Sequence, residues 1–309
     1  MDILFHAADA NPEPWLTELQ AALPQARLRL WQEGDDAPAD HAIVWKPPVS
    51  MLRGRTDLKA IFNLGAGVDA ILQLGDALPA GVPIVRLDDA GMGAQMAEYV
   101  SHAVLRYFRR FDQFAVQQAQ GQWRFAKPHE KSTFSIGILG LGVLGSRIAA
   151  AIAPFGFPLH GWSRTPKSLQ GVTCHAGADG FDAFMAASKV VVCVLPLTTG
   201  TTDLLDAAAL AKMPRGGYLI NVARGAHVVE GDLLAAIASG QLAGATLDVF
   251  RQEPLPADHP FWREPRITLT PHIAAVTLRG DSVRQIAAKI VRLEAGETVP
   301  GMVDRGRGY

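Results

Sequence analysis

Within residues 1–100, short apolar runs at 3–5, 28–31, 42–45, 61–64 and 84–85 are separated by turn residues. A helical stretch at 15–23 places Leu16, Leu19 and Leu23 on one face. Alternating short strands and helices predict a small parallel sheet covered by helices. From 95 to 118 the apolar positions fall at Ala97, Val100, Ala103, Val104, Tyr107, Phe108, Phe111, Phe114 and Ala115. That three-and-four spacing predicts one long amphipathic helix. Gly91, Met92 and Gly93 just before it read as a hinge and a domain boundary.

Beyond Lys127 and Pro128 the pattern becomes a longer βα series, with strands expected at 134–139, 159–162, 190–195, 218–221, 245–249 and 267–270. Helices are expected between them, notably at 146–153 and 230–239. The unbroken apolar run 190–195 is what a strand buried on both faces requires, so a doubly wound sheet is expected. A last amphipathic segment, 281–294, carries Val283, Ile286, Ala287, Ile290 and Leu293 and is expected to return to the first domain. The tail 301–309, rich in Gly and Arg, is expected to be loosely ordered.

Gly140-Leu141-Gly142-Val143-Leu144-Gly145 follows an apolar strand and opens a helix. In that setting Gly140 permits a tight turn, Gly142 lets backbone approach a pyrophosphate, and Gly145 lets helix and strand pack closely. The amides at the helix start, through Val143 and Leu144, then face the anion. A dinucleotide site follows. About 20 residues on, where NAD-binding chains carry an acid for the ribose hydroxyls, this chain has Ser163-Arg164-Thr165-Pro166-Lys167. A carboxylate there would repel a 2′-phosphate, whereas a guanidinium and two hydroxyls can hold one, so NADP(H) is expected over NAD(H). The competing reading is a solvated basic turn.

Three further motifs lie where strands of this sheet should end, which is where open α/β sheets bind ligands. They supply Arg224, Glu253 with Asp248 upstream of it, and His272. A guanidinium can hold a carboxylate and polarise the adjacent carbonyl, and an imidazolium can protonate the oxygen as hydride arrives. A carboxylate beside the imidazole favours its charged form. Each residue alone reads as an ion pair, a loop carboxylate or an ordinary histidine. Together they suit reduction of a 2-keto acid.

Composition narrows the alternatives. The 309 residues suit two domains, and 49% hydrophobic against 19% charged residues supplies two cores. Lys and Arg total 29 against 30 Asp and Glu, so no positive field favours nucleic acid. Cys174 and Cys193 lack any paired spacing, and no cluster of acids and histidines has ligand spacing, so neither disulfides nor a metal is expected. Asp2, His6 and Asp9 at the N-terminus do not suit a signal peptide, and no apolar run is long enough to span a membrane. A cytoplasmic protein is expected.

Over nearly its whole length the chain resembles the D-isomer-specific 2-hydroxyacid dehydrogenases, most closely their glyoxylate/hydroxypyruvate reductase subgroup. The motifs that carry this are 63–69 (Asn-Leu-Gly-Ala-Gly-Val-Asp), the glycine fingerprint, 195–198 with Leu195 and Pro196, 221–225, 248–256 and 271–275. Segments 45–48, 95–99 and 108–112 point to the subgroup. The resemblance implies two Rossmann-like doubly wound α/β domains: a flavodoxin-like substrate domain (1–94 and 279–309) and an inserted dinucleotide-binding domain (95–278). It implies His272 as acid/base, Glu253 as its partner and Arg224 as the cation orienting the substrate. It further implies carboxylate-binding amides at Ala66 and Gly67, a pocket wall at Trp45, cofactor contacts at Leu195, Pro196 and Asp248, and a homodimer formed through the cofactor domain. From the residues alone Trp45 reads as core rather than as a pocket wall. Glyoxylate and hydroxypyruvate are the implied substrates. A bulkier keto acid such as phenylpyruvate, or an NADP(H)-sensing protein without activity, are the alternatives.

Overall fold

The computed structural model describes residues 1–8 and 10–309; Asp9 lies outside them. The chain divides into two compact units, one made of Met1–Met92 and Thr277–Tyr309, the other of Gly93–Val276.

The first unit contains β1 (Asp2–Ala7), α1 (Pro12–Ala22), β2 (Arg27–Leu30), β3 (His41–Trp45), α2 (Val49–Leu52), β4 (Ala60–Asn63), α3 (Asp69–Leu72) and β5 (Ile84–Arg86). All five strands are parallel, in the order β2-β1-β3-β4-β5. This is the flavodoxin-like order. Helix α1 starts where Asn11 accepts a hydrogen bond from the Glu13 amide and Pro12 supplies a preset φ.

The second unit contains α4 (Met92–Phe108), α5 (Phe111–Ala119), β6 (Ile136–Leu139), α6 (Val143–Ile152), β7 (Leu159–Ser163), β8 (Thr173–Ala176), α7 (Gly177–Ala187), β9 (Val190–Cys193), α8 (Ala207–Lys212), β10 (Gly217–Asn221), α9 (Glu230–Ala238), β11 (Leu242–Leu247) and β12 (Ile267–Leu269). Its seven strands are parallel and ordered β12-β11-β10-β9-β6-β7-β8. The order reverses between β6 and β9, and every residue of those two strands is buried. Such a reversal is the doubly wound switch point, where the crevice for a dinucleotide opens. Finally α10 (Arg279–Glu294) returns to the first unit, where Arg279 pairs with Glu18 of α1 at 2.7 Å.

Three expectations need correction. The helix expected through 95–118 is two helices, because Arg110 takes a left-handed backbone (φ 61°). The cause is tertiary. The Phe108 carbonyl accepts from the His129 amide and the Arg110 side chain donates to the Lys127 carbonyl, while the Phe108 ring packs edge-on against Phe134 and Phe157. The tail is also tied down rather than loose. The Val303 amide donates to Ile84, and the Arg305 guanidinium donates to the carbonyls of Pro79 and Val82. Strand β8 was not anticipated, since its half-exposed residues make no apolar run.

Among the described residues no helix is long and apolar enough to cross a membrane, and no group of three or more His, Cys, Asp and Glu is placed to hold a metal. Both cysteines are free.

Candidate active site

The glycine turn after β6 is built as a pyrophosphate cradle requires. Gly140 has φ 116°, and a Cβ there would stand 3.0 Å from the Val194 carbonyl oxygen. A Cβ on Gly145 would stand only 1.8 Å from the carbonyl oxygen of Gly140, so helix α6 can approach the turn only without a side chain. Gly142 faces open space, and α6 begins at Val143, directing its first amides toward that opening. Leu195 is buried, with its side chain 3.3 Å from where a Gly140 Cβ would lie, and Pro196 follows it at the surface. After β7, the Ser163 hydroxyl donates to the Thr165 carbonyl at 2.8 Å and shapes the turn that exposes Arg164 and Thr165. A dinucleotide with an extra phosphate fits these residues: the cradle is open, and no acid occupies the turn.

Arg224, Glu253 and His272 follow β10, β11 and β12, three adjacent strands of one sheet. Asn221 ends β10 with its side chain folded over the next turn: its Nδ2 donates to the Arg224 carbonyl at 2.9 Å and its Oδ1 accepts from the Ala223 amide. Arg224 is half-buried, with one terminal nitrogen donating to the Ala223 carbonyl at 2.7 Å. Gly225 then runs against the next loop so closely that a Cβ would stand 1.9 Å from the Phe250 carbonyl carbon. That same loop holds Glu253, whose Oε1 accepts from the Phe250 amide at 2.9 Å.

The other oxygen, Oε2, lies 2.8 Å from His272 Nδ1. A carboxylate accepts, so Nδ1 carries hydrogen and Nε2 is the nitrogen turned to other work. His272 itself holds a left-handed backbone, φ 56°. Such a conformation in a non-glycine residue persists only where its surroundings over-determine it. Those surroundings are Asp248. Its carbonyl accepts from the His272 amide at 2.8 Å. Its buried carboxylate accepts from the Thr270 hydroxyl at 2.6 Å and from the amides of Ile273 and Ala274 at 2.8 Å each. Thr270 in turn lies 2.5 Å from the Tyr99 hydroxyl, and burial foremost pushes the Tyr99 pKa up to about 12.

The structure therefore places Asp248 beneath the His272 loop, where it acts on that loop's backbone. Tyr99, Thr270 and Asn221 support the site through contacts that their motifs did not reveal. An Asn closing an apolar strand was the one local signal available, since Asn side chains fold readily onto turns. His227 gave none. It is wholly buried, one turn after Arg224, with Nε2 3.3 Å from the Pro196 carbonyl oxygen. Burial opposes a charge on its ring, but Cys193 and the carbonyls of Pro196 and Arg224 outweigh that, and its pKa lies above the ordinary imidazole value.

In the first unit, Ala66 and Gly67 lie on a turn after β4. Asn63, buried at the end of β4, holds that turn by donating from Nδ2 to the carbonyls of Gly65 (3.0 Å) and Gly67 (2.9 Å). Trp45 covers it: a Cβ on Gly65 would stand 2.4 Å from the indole. The indole is half-buried, so Trp45 is neither pure core nor free surface.

A glycine cradle at the switch point of a seven-stranded parallel sheet, with a histidine–carboxylate pair at neighbouring strand ends, defines a dinucleotide-binding α/β dehydrogenase fold. Residues 101–274 match the family model described as D-isomer specific 2-hydroxyacid dehydrogenase, NAD binding domain. The chain belongs to that family. It is 53% identical to glyoxylate/hydroxypyruvate reductase A of Serratia proteamaculans, with all of both chains covered. A 2-hydroxyacid dehydrogenase of Xanthobacter autotrophicus Py2, solved with NADPH and MES, superposes with a TM-score of 0.94 at 42% identity, covering 100% of this chain and 99% of that one. The NADPH-dependent glyoxylate/hydroxypyruvate reductase of Sinorhizobium meliloti, solved with NADP and sulfate, gives 0.90 at 34% identity, with the same coverage.

Proposed function

We propose that this protein reduces a small 2-keto acid, glyoxylate or hydroxypyruvate, to the 2-hydroxy acid at the expense of NADPH. The observation that carries this reading is the 2.8 Å pair of His272 and Glu253 at the strand ends of a dinucleotide-binding sheet. The full-length relatives that bear the reductase name support it.

When bound, the reduced nicotinamide supplies a hydride. His272 holds the proton to be delivered, at Nε2, while Glu253 fixes the ring and its tautomer. Arg224 offers a guanidinium to the substrate carboxylate and polarises its carbonyl. In the first unit, the amides of Ala66 and Gly67 are read as carboxylate donors, with Trp45 limiting the size of group accepted beside them. That unit is read as the substrate domain, and Gly93–Val276 as the cofactor domain.

Arg164, Thr165 and Ser163 favour the 2′-phosphate, so NADPH is preferred over NADH. The chain works as a homodimer formed through the cofactor domain. Phe111 and Val116 on α5, and Trp123 and Phe125 after it, are exposed, Trp123 completely. Several large apolar side chains exposed in one stretch of chain suit an association surface, and a second copy is its occupant. Two free thiols fit a reducing compartment, the cytoplasm.

The test is NADPH consumption followed by absorbance with glyoxylate, hydroxypyruvate and phenylpyruvate. The highest kcat/KM is expected with one of the first two. A preference for phenylpyruvate assigns a bulkier substrate, and NADPH binding without turnover of any keto acid overturns the enzymatic reading.

A further inference from the structure

We infer that His227 is a positioning residue that aims Arg224 at the substrate by clamping two strand-end loops to each other through its imidazole. The inference rests on the reading of Arg224 as the substrate-carboxylate clamp.

Its Nδ1 lies 3.0 Å from the Arg224 carbonyl oxygen and 3.2 Å from the Arg224 amide nitrogen. Its other nitrogen faces the Pro196 carbonyl at 3.3 Å, on the loop after β9. A carbonyl only accepts, so the link to Pro196 needs hydrogen on Nε2: the neutral ring in that tautomer then accepts from the Arg224 amide at Nδ1, and the imidazolium instead donates to the Arg224 carbonyl. The loop after β9 also carries Leu195, against the glycine cradle. The backbone joins the far end of that connection to this turn, Asp203 to Ala226 and Leu205 to His227, and the imidazole adds the tie at Pro196, the end that borders the cofactor turn.

A plain packing role does not account for this placement. An imidazole with no exposed surface is costly to bury unless both nitrogens find partners, and an aliphatic side chain would fill the same space without that requirement. The local turn also does not depend on the ring. The His227 carbonyl accepts from the Leu205 amide at 2.9 Å, the His227 amide donates to Arg224, and the Val228 amide donates to Gly225. Backbone bonds hold the turn, so the imidazole is free to set the alignment of Arg224 against the neighbouring loop. A guanidinium held to a fraction of an ångström is what carboxylate recognition demands.

Two substitutions separate the two nitrogens. In His227→Asn the shorter amide reaches the position of Nδ1 and can keep the bond to Arg224. In His227→Gln the longer amide reaches the position of Nε2 and can keep the bond to Pro196. His227→Gln is expected to raise KM for the keto acid about tenfold, the size of one lost hydrogen bond, with the dissociation constant of NADPH little changed. His227→Asn is expected to keep a near-normal KM and to weaken NADPH binding several-fold. Arg224→Ala, measured alongside, should raise KM more than either. Equal KM increases in both His227 variants, accompanied by matching losses of Tm, would make the ring mere filling and overturn the inference. So would an unchanged KM in His227→Gln while Arg224→Ala raises it, and that result leaves the clamp standing. An unchanged KM in Arg224→Ala removes the clamp and the inference together. If one His227 variant is unstable the other decides alone, since each has its own expected signature.

Discussion

His272 joins a left-handed backbone to a charged partner, and both features are supplied by residues that precede it by about two dozen positions or fewer, Asp248 and Glu253. Its ring is half-exposed, so the His272→Ala variant should fold. We expect kcat to fall by about 10²–10⁴-fold, the usual yield of a positioned acid, with NADPH affinity retained. Steady-state kinetics and fluorescence titration check the two halves separately; near-normal turnover would remove His272 from the chemistry. Arg164 tests the cofactor preference at the same scale. Arg164→Asp puts a carboxylate where the 2′-phosphate is read to lie, and the ratio of NADPH to NADH affinity should fall by about tenfold or more, since an attraction of roughly 1–2 kcal/mol becomes a repulsion. A ratio that does not move would return that turn to the role of a solvated loop.

Elements set the close approaches on which the site depends. With a Cβ on Gly145 falling 1.8 Å from a backbone oxygen, Gly145→Ala must push α6 away from β6. NADPH binding should fall by at least about tenfold, together with a lower Tm, because overpacking of this kind costs about 1–3 kcal/mol. Unaltered calorimetric binding would contradict the cradle. The segment that interrupts the expected long helix carries a pH dependence of its own. Burial first, and the charges of Arg110 and Lys189 next, push the His129 pKa down to about 4. Burial also lowers His41 and His160. The unfolded chain takes up these protons near the ordinary imidazole pKa of 6.5, whereas the folded chain resists, so the stability these groups contribute is full above that value and is lost as pH falls toward 4. His129 is partly solvated, and its share is about 1–2 kcal/mol rather than the full linkage value. His129→Phe, which keeps a ring beside Tyr107 and Phe134, should flatten the fall of Tm between pH 7 and pH 4.5. An identical profile in the variant would show that His129 is not the group responsible.

For the whole molecule, the exposed apolar side chains Phe111, Val116, Trp123 and Phe125 predict a particle of twice the 33.1 kDa chain. Light scattering should report that mass, and Trp123→Ser with Phe125→Ser should shift it to the single chain. A single-chain mass for the unaltered protein would show that these exposed side chains have another use. At this scale the amino-acid pattern had already marked two α/β regions and the chain's return to its first region, because buried parallel strands and amphipathic helices impose local periods of their own. The strand-end positions of the glycine fingerprint, Arg224, Glu253 and His272 were legible for the same reason: each follows a strand by a short interval. What periodicity could not convey were contacts between residues far apart in the chain. The break at Arg110 depends on a segment beyond the helix, and the ordered tail depends on β5 and the residues just before it. The bonds of Thr270 to Tyr99 and of His227 to the Pro196 carbonyl join residues up to 171 positions apart. Hydrophobic spacing is a property of neighbours and can be read one window at a time, whereas a hydrogen bond between two loops exists only after the sheet has brought the strand ends side by side.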